Sequence, residues 1–141
     1  MKCVNVKGDE KLTDYVLNLI FNEWVPDPLA RLKKKEKALR DDSKKCYAVL
    51  FGEKPVGCFV LCDNDIPDFP QYNPNLACVC VDKDYRGRNF GLFILEESKA
   101  ELKRLGYKEA YLKTDLKNFY ERVGWYVIGE IGSEKIYKID L

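Results

Sequence analysis

Six consecutive apolar residues, Leu76 to Val81 (LACVCV), constrain the fold of this chain more than any other feature. A run this short without polar alternation reads as a β-strand covered on both faces. Covering both faces of a sheet requires helices, and the sequence supplies them on either side of the run. Asp9 is placed to N-cap a helix in which Leu12, Tyr15, Val16, Leu19 and Ile20 recur at helical spacing as far as Trp24. Pro26 and Pro28 stop it, and Pro28 opens a second helix through Arg40. After the run, Phe90, Phe93, Ile94 and Ala100 share one face of a third helix. Glu97, Glu101 and Arg104 continue that spacing with charge, and Gly106 is its C′ residue.

The remaining apolar runs complete the sheet. Residues 2–6 read as a first strand. Cys46–Phe51 and Val56–Cys62, joined by Gly-Glu-Lys-Pro, read as a hairpin. Asp63–Asn75, with its Pro, Asp and Asn, is a long loop. Ala110–Thr114 is a strand, and Leu116–Val123 a short helix ended by Gly124. Trp125–Ile131 and Lys135–Ile139 pair around Gly132-Ser133. The order β-α-α-β-β-β-α-β-α-β-β implies an α/β fold, in the α+β sense of one mixed sheet layered with helices. Residues 1–141 make a single domain, without repeat or linker.

Composition closes off several kinds of chemistry. The chain has no His, which excludes Ser-His-Asp and Cys-His catalysis and any His-ligated metal. Proton transfer falls to Tyr, Cys, Asp, Glu, Lys or water. Its six Cys include no C-x-x-C pair, so no metal site is expected. Twenty-four Lys plus Arg balance 23 Asp plus Glu, so a net charge of +1 gives no general attraction to nucleic acid or to a membrane surface. No apolar stretch approaches the roughly 18 residues of a membrane span. The N-terminus has no signal-peptide core. Apolar surroundings for five of the six Cys fit reduced thiols, and the expected location is cytoplasmic.

Any anion site must therefore be built locally, and one segment is suited to it. Val81-Asp82-Lys83-Asp84-Tyr85-Arg86-Gly87-Arg88-Asn89-Phe90-Gly91 leads from the buried strand through a charged loop into a helix N-terminus. Such a junction presents unpaired N–H groups and the positive end of the helix dipole. Gly87 and Gly91 allow phosphates to approach the backbone, and Arg86 and Arg88 add charge. It is neither a Walker loop nor a Rossmann fingerprint. Physics alone leaves two readings open, a diphosphate cradle and an exposed basic turn.

These residues resemble the acetyl-CoA loop of the GNAT acetyltransferase superfamily, Gln/Arg-x-x-Gly-x-Gly/Ala after a strand ending in Val-Asp. Arg86, Gly87-Arg88, Asn89, Phe90 and Gly91 match it, with Asn89 in place of the first pattern Gly. Asn accepts left-handed backbone better than most residues. A second stretch, Phe119-Tyr120-Glu121-Arg122-Val123-Gly124-Trp125, resembles the family's helix-turn-strand "FYEKLGF". It begins 33 residues after Arg86, in keeping with the family spacing. Lys113 and Leu116 stand where the family often has Asn and Ala.

The resemblance implies a GNAT-like fold and an N-acetyltransferase that moves an acetyl group from acetyl-CoA to a primary amine of a small-molecule or peptide acceptor. It places the donor on Cys80, Val81, Arg86, Gly87, Arg88, Asn89, Phe90 and Gly91. The strand at Cys80 and Val81 is expected to splay from its neighbour, and a backbone N–H there serves the oxyanion. Tyr120 is the implied general acid. A free tyrosine, with a pKa near 10, is protonated at neutral pH and can donate to the leaving sulfur. The base is left open among Glu23, Asp63 and Asp65. Cys80, in apolar surroundings, is expected to be inert, which favours direct transfer over a ping-pong route. The Arg31–Lys37 run is read as a solvated helix face. Two other readings stand beside the enzyme: a CoA-binding sensor or interaction module without catalysis, and a nucleotide-binding α/β domain of another kind. The last strands offer an edge for a homodimer.

Overall fold

In a computed structural model, which describes residues 1–25, 27–41 and 43–141, the local signals become elements at nearly the anticipated positions. Helix α1 (Glu10–Trp24) begins where Asp9 takes extended backbone and accepts the Leu12 N–H at 3.0 Å. It buries Val16, Leu17 and Phe21. Helix α2 (Pro28–Arg40) opens on its proline. Pro26, the other expected stop, lies outside the described residues. Arg31 of α2 reaches back to the end of α1, where Nε donates to the Val25 carbonyl at 2.5 Å and a terminal nitrogen donates to that of Phe21 at 3.4 Å. A cation on carbonyls at the negative end of the helix dipole ties α2 to the end of α1. Leu32, Lys33, Lys34 and Lys37 are exposed, and Lys35 pairs with Asp14 at 3.0 Å.

Seven strands form one sheet in the order β1-β2-β3-β4-β5-β7-β6. They are β1 (Lys2–Asn5), β2 (Lys45–Phe51), β3 (Lys54–Cys62), β4 (Asn75–Val81), β5 (Glu109–Thr114), β6 (Tyr126–Ile131) and β7 (Glu134–Asp140). Every pairing is antiparallel except β4 with β5. Strand alternation divides the sheet between two layers. Ala48, Cys58 and Cys80 face α1, against Val16 and half-buried Leu12, Tyr15, Leu19 and Ile20. Tyr47, Val49, Phe59 and Leu61 face helix α3 (Phe90–Arg104), against Phe90, Ile94, Leu95 and Leu102. Phe59, Val49, Ile94 and Leu95 are fully buried, each contributing about 1.5–3 kcal/mol by removal from water.

Three expectations need correction. The inward stripe of α3 is Phe90, Ile94, Leu95, Ser98, Glu101 and Leu102, whereas Phe93 is 51 % exposed and Ala100 is exposed. Glu101 turns inward because partners await it. Tyr47 Oη donates to Oε2 at 2.6 Å, and Arg104 donates to both carboxylate oxygens at 2.5 and 2.8 Å. The Arg104 bonds, then that of Tyr47, hold this carboxyl below its usual range. Second, the helix expected over Leu116–Val123 shrinks to a 3-10 turn, Tyr120–Val123. Asn118 adopts left-handed backbone (φ 59°), and its N–H bonds to Glu121 Oε2, so no helix forms through it. Third, β4 is not covered on both faces along its length, because Ala77, Cys78 and Val79 are only half-buried.

Candidate active site

The exposure of β4 has a backbone cause. Its parallel pairing to β5 is confined to Asn75 opposite Tyr111, after which the two strands part. Asn75 pins the closed end. Its side chain, fully buried, donates to the Tyr72 carbonyl at 2.9 Å and to that of Tyr111 at 3.4 Å. On the other edge, Cys58 faces Cys80 and Val60 faces Ala77, so Cys78 and Val79 together oppose Phe59. This is a β-bulge, with Cys78 at φ 52°. The bulge re-aims β4 where it leaves β5, so the β5-facing edge of its main chain lacks a strand partner.

A groove of about 270 Å³ opens there. Its floor is Val79, Cys80, Val81 and Gly91, its far wall Leu116, Phe119 and Tyr120, and its near rim Glu23, Trp24 and Arg86. It adjoins a cleft of about 280 Å³ over the start of α3, with which it shares Val81, Arg86, Gly91 and Phe119. Tyr85, Gly87, Asn89, Phe90, Leu92 and Arg122 complete that cleft. A third cleft, of about 260 Å³, lies between α1 and the loop after β4, lined by Tyr15, Asn18, Asn22 and Glu23 on one side and Cys80, Asp82, Lys83, Asp84 and Arg86 on the other. A further cavity, beside Lys7, Lys44 and Lys45, is lined by none of the catalytic or donor-binding residues expected from the sequence.

The loop is held from both ends. Asp82 donates its N–H to the Val56 carbonyl at 2.8 Å, and its Oδ1 accepts the Asp84 N–H at 3.1 Å. Tyr15 Oη lies 2.8 Å from Asp82 Oδ2, tying the loop to α1. Burial, then that hydrogen bond, pushes the Tyr15 phenol far up. A 3-10 turn over Lys83–Tyr85 follows, then Gly87 at φ 80°. Asn89 occupies the N-cap position of α3 in left-handed backbone (φ 62°) and makes no side-chain cap, so the first N–H groups of the helix are left for a ligand. At the substituted position of the loop pattern, asparagine thus adopts the conformation for which glycine is the usual residue. Gly91 lets Phe119 pack close, since a Cβ there would lie 3.0 Å from the Phe119 ring and the ring would have to give.

The structure brings Cys80, Val81, Arg86, Gly87, Asn89, Phe90, Gly91, Tyr120 and Glu23 around the two joined cavities. Arg88 is not among the lining residues; its guanidinium sits over the Tyr85 ring at 5.9 Å. Asp63, exposed, and Asp65 are not among them either. Asp65 lies in the loop between β3 and β4, where Asn75 Oδ1 accepts its N–H at 2.9 Å and burial raises its carboxyl. The Cys80 thiol is raised by burial and then by Glu23, so little thiolate is available as a nucleophile. Tyr120 is 7 % exposed, its ring edge-on to Phe119, Trp125 and Tyr137. Burial pushes its phenol up to about 12, with a smaller contribution from the neighbouring Cys78.

Several lining residues escaped the sequence reading. Phe119 and Arg122 lie inside the second motif, and Trp24 adjoins Glu23, so proximity was the available signal. Nothing in the sequence pointed to the ion pair between Arg86 and Glu23, which joins the loop to the end of α1. Arg86 Nε also donates to the Val81 carbonyl at 3.1 Å.

A sheet parted beside an uncapped helix N-terminus offers a free strand edge next to unpaired N–H groups. Residues 12–125 match the acetyltransferase (GNAT) family, and the chain belongs to that family and with it to the acyltransferases. No curated protein matches the chain at a significant level. Among solved structures it is similar to an aminoglycoside 6'-N-acetyltransferase from Enterococcus faecium, with 15% identity and TM-score 0.72 over 99% of this chain and 97% of that one. It is also similar to a spermidine N-acetyltransferase chimera from Vibrio cholerae and hSSAT (14%, TM-score 0.72, 99% and 96%). A third similar structure is a GNAT family acetyltransferase from Elizabethkingia anophelis with acetyl-CoA bound (13%, TM-score 0.63, 88% and 89%). These likenesses bear out the α/β fold. Among the described residues no helix is long and apolar enough to cross a membrane, and no cluster of three or more Cys, Asp or Glu is placed to hold a metal.

Proposed function

We propose that this protein transfers an acetyl group from acetyl-CoA directly to a primary amine of a small-molecule or peptide acceptor. The observation that carries the reading is continuity: the cleft over the uncapped start of α3 runs into the groove along the free edge of β4, with Tyr120 in its wall. The N–H groups from Gly87 to Gly91 receive the diphosphate. The free edge of β4 pairs with the amides of the pantetheine arm, and a β4 N–H near Cys80 and Val81 stabilises the oxyanion. The amine attacks the thioester carbon; the C–N bond forms, the C–S bond breaks, and the sulfur leaves. Tyr120 Oη donates to that sulfur. With its pKa at about 12 it stays protonated across physiological pH, and the burial that raises it also raises a thiolate released beside it. Glu23, on the groove rim, takes the amine's proton. Asp63 and Asp65, the other carboxylates brought forward from the sequence, lie outside the lining, which favours Glu23.

The structures with acetyl-CoA bound and of aminoglycoside and spermidine enzymes support this donor and an amine acceptor. Six free thiols fit a reducing compartment, and we place the protein in the cytoplasm. Strand β6, the sheet's last edge, exposes Tyr126, Val127 and Ile128, where we place a homodimer contact.

The test is acetyl-CoA turnover over a panel of primary amines, with mass detection of the acetylated product. Tyr120→Phe is expected to lower kcat by roughly 10²-fold or more with little change in KM for acetyl-CoA. Full activity in that variant removes Tyr120 from the mechanism. CoA binding without turnover on any amine favours the non-catalytic CoA-binding module.

A further inference from the structure

We propose that Arg86 is shared between Glu23 and the donor's diphosphate, so that filling the phosphate cleft releases Glu23 to the acceptor. This rests on the functional reading above and adds a coupling between its two substrates. Among the described residues, Arg86 is the one common to the linings of the phosphate cleft, the transfer groove and the cleft beside α1. Its guanidinium is committed, with Nε on the Val81 carbonyl and a terminal nitrogen on Glu23 Oε1. Glu23 is thereby neutralised on the rim where a cationic amine has to arrive.

The partners are unequal competitors. Both side chains of the pair are partly exposed, Arg86 at 52 % and Glu23 at 39 %, and solvent makes such a pair weak. A diphosphate brings two charges, several acceptor oxygens and the N–H groups of Gly87 to Gly91 beside the same guanidinium. When Arg86 turns to it, Glu23 becomes an unpaired carboxylate facing the groove. An ammonium on Glu23 in turn frees Arg86 for the diphosphate. The coupling is reciprocal, and donor and acceptor each strengthen binding of the other.

A converse arrangement is physically possible, in which Glu23 holds Arg86 ready for the diphosphate. The two have opposite signs in a measurement that needs no acceptor. CoA is titrated calorimetrically into the wild type, Glu23→Gln, Arg86→Gln and the double variant. Removing the competitor is expected to tighten CoA binding about 1.5- to 5-fold in Glu23→Gln. Glu23→Ala is expected to act in the same direction, and the gain vanishes when Arg86 is already glutamine. Unchanged or weaker binding in Glu23→Gln overturns the proposal. So does an equal gain in the Arg86→Gln background, because the effect then reflects general charge. A wild type that binds no CoA takes down the acetyltransferase reading along with it.

Discussion

Gly57 tests whether the site depends on close packing beneath it. Gly57 sits in β3 opposite Val81, the last residue of β4 before the phosphate loop. A Cβ at this position would lie 2.5 Å from the Cys80 carbonyl oxygen and 2.5 Å from Ile94 Cδ1. The terminal methyl of Ile94 can rotate away, but the carbonyl oxygen moves only if β4 moves. In an unobstructed strand, glycine to alanine stabilises by about 0.4–1 kcal/mol, because it restricts the unfolded chain. Here overpacking is expected to cost about 1–3 kcal/mol and to reverse that sign. For a chain of this size the loss corresponds to a fall in Tm of roughly 3–10 °C. Calorimetry or thermal circular dichroism on Gly57→Ala reads it directly. Gly129→Ala serves as the control, since its nearest contact would be an ordinary 3.7 Å to Ile136 Cδ1. A Gly57→Ala variant that melts at or above the wild-type temperature refutes the argument that β3, β4 and α3 meet through the absence of one methyl group.

Two further outcomes concern buried titrating groups. The Glu101 carboxyl is held below its usual range in the folded protein, by Arg104 first and Tyr47 second. The stability it confers is therefore complete above the unfolded carboxyl pKa and is lost as pH falls through the folded one. Urea midpoints measured between about pH 6 and 3 are expected to fall less steeply in Glu101→Gln; identical slopes would contradict the assignment. Burial raises the Cys58 thiol well above its ordinary range, and its Sγ lies 3.5 Å from the Cys78 carbonyl. Alkylation near pH 8 followed by peptide mass mapping is expected to leave Cys58 unmodified in the folded protein and to label all six cysteines in denaturant. Rapid labelling of folded Cys58 would argue against the close packing around it.

Elements governed by neighbours in the chain were legible in the sequence. Asp9 caps α1, Pro28 opens α2, and Gly-Glu-Lys-Pro turns β2 into β3, because each effect acts within a few residues. At Asn89 the left-handed backbone was anticipated from the resembled loop pattern, in which glycine is usual at that position. Most of the misses were decided at long range. Burial of Glu101 depends on Tyr47, 54 positions earlier. The parting of β4 from β5 depends on pairing between remote segments, which an apolar run cannot report, so LACVCV read as covered where it is half open. The failed helix at Leu116 was a local miss, since periodicity gave no sign that Asn118 would leave helical backbone. The pairing of Arg86 with Glu23, 63 residues apart, left no trace in spacing or composition.

The solitary register pair between β4 and β5 gives the sheet a seam. Strands β1 to β4 are laced together on one side and β5, β7 and β6 on the other, and among the described residues the two halves share one register pair, Asn75 with Tyr111, beside the Tyr111 N–H bond to the Pro74 carbonyl. Any extended molecule laid along that seam would act as a missing strand and knit the halves into a continuous ladder. The liganded protein would then be a stiffer object than the empty one, by virtue of main-chain pairing that no single side chain supplies.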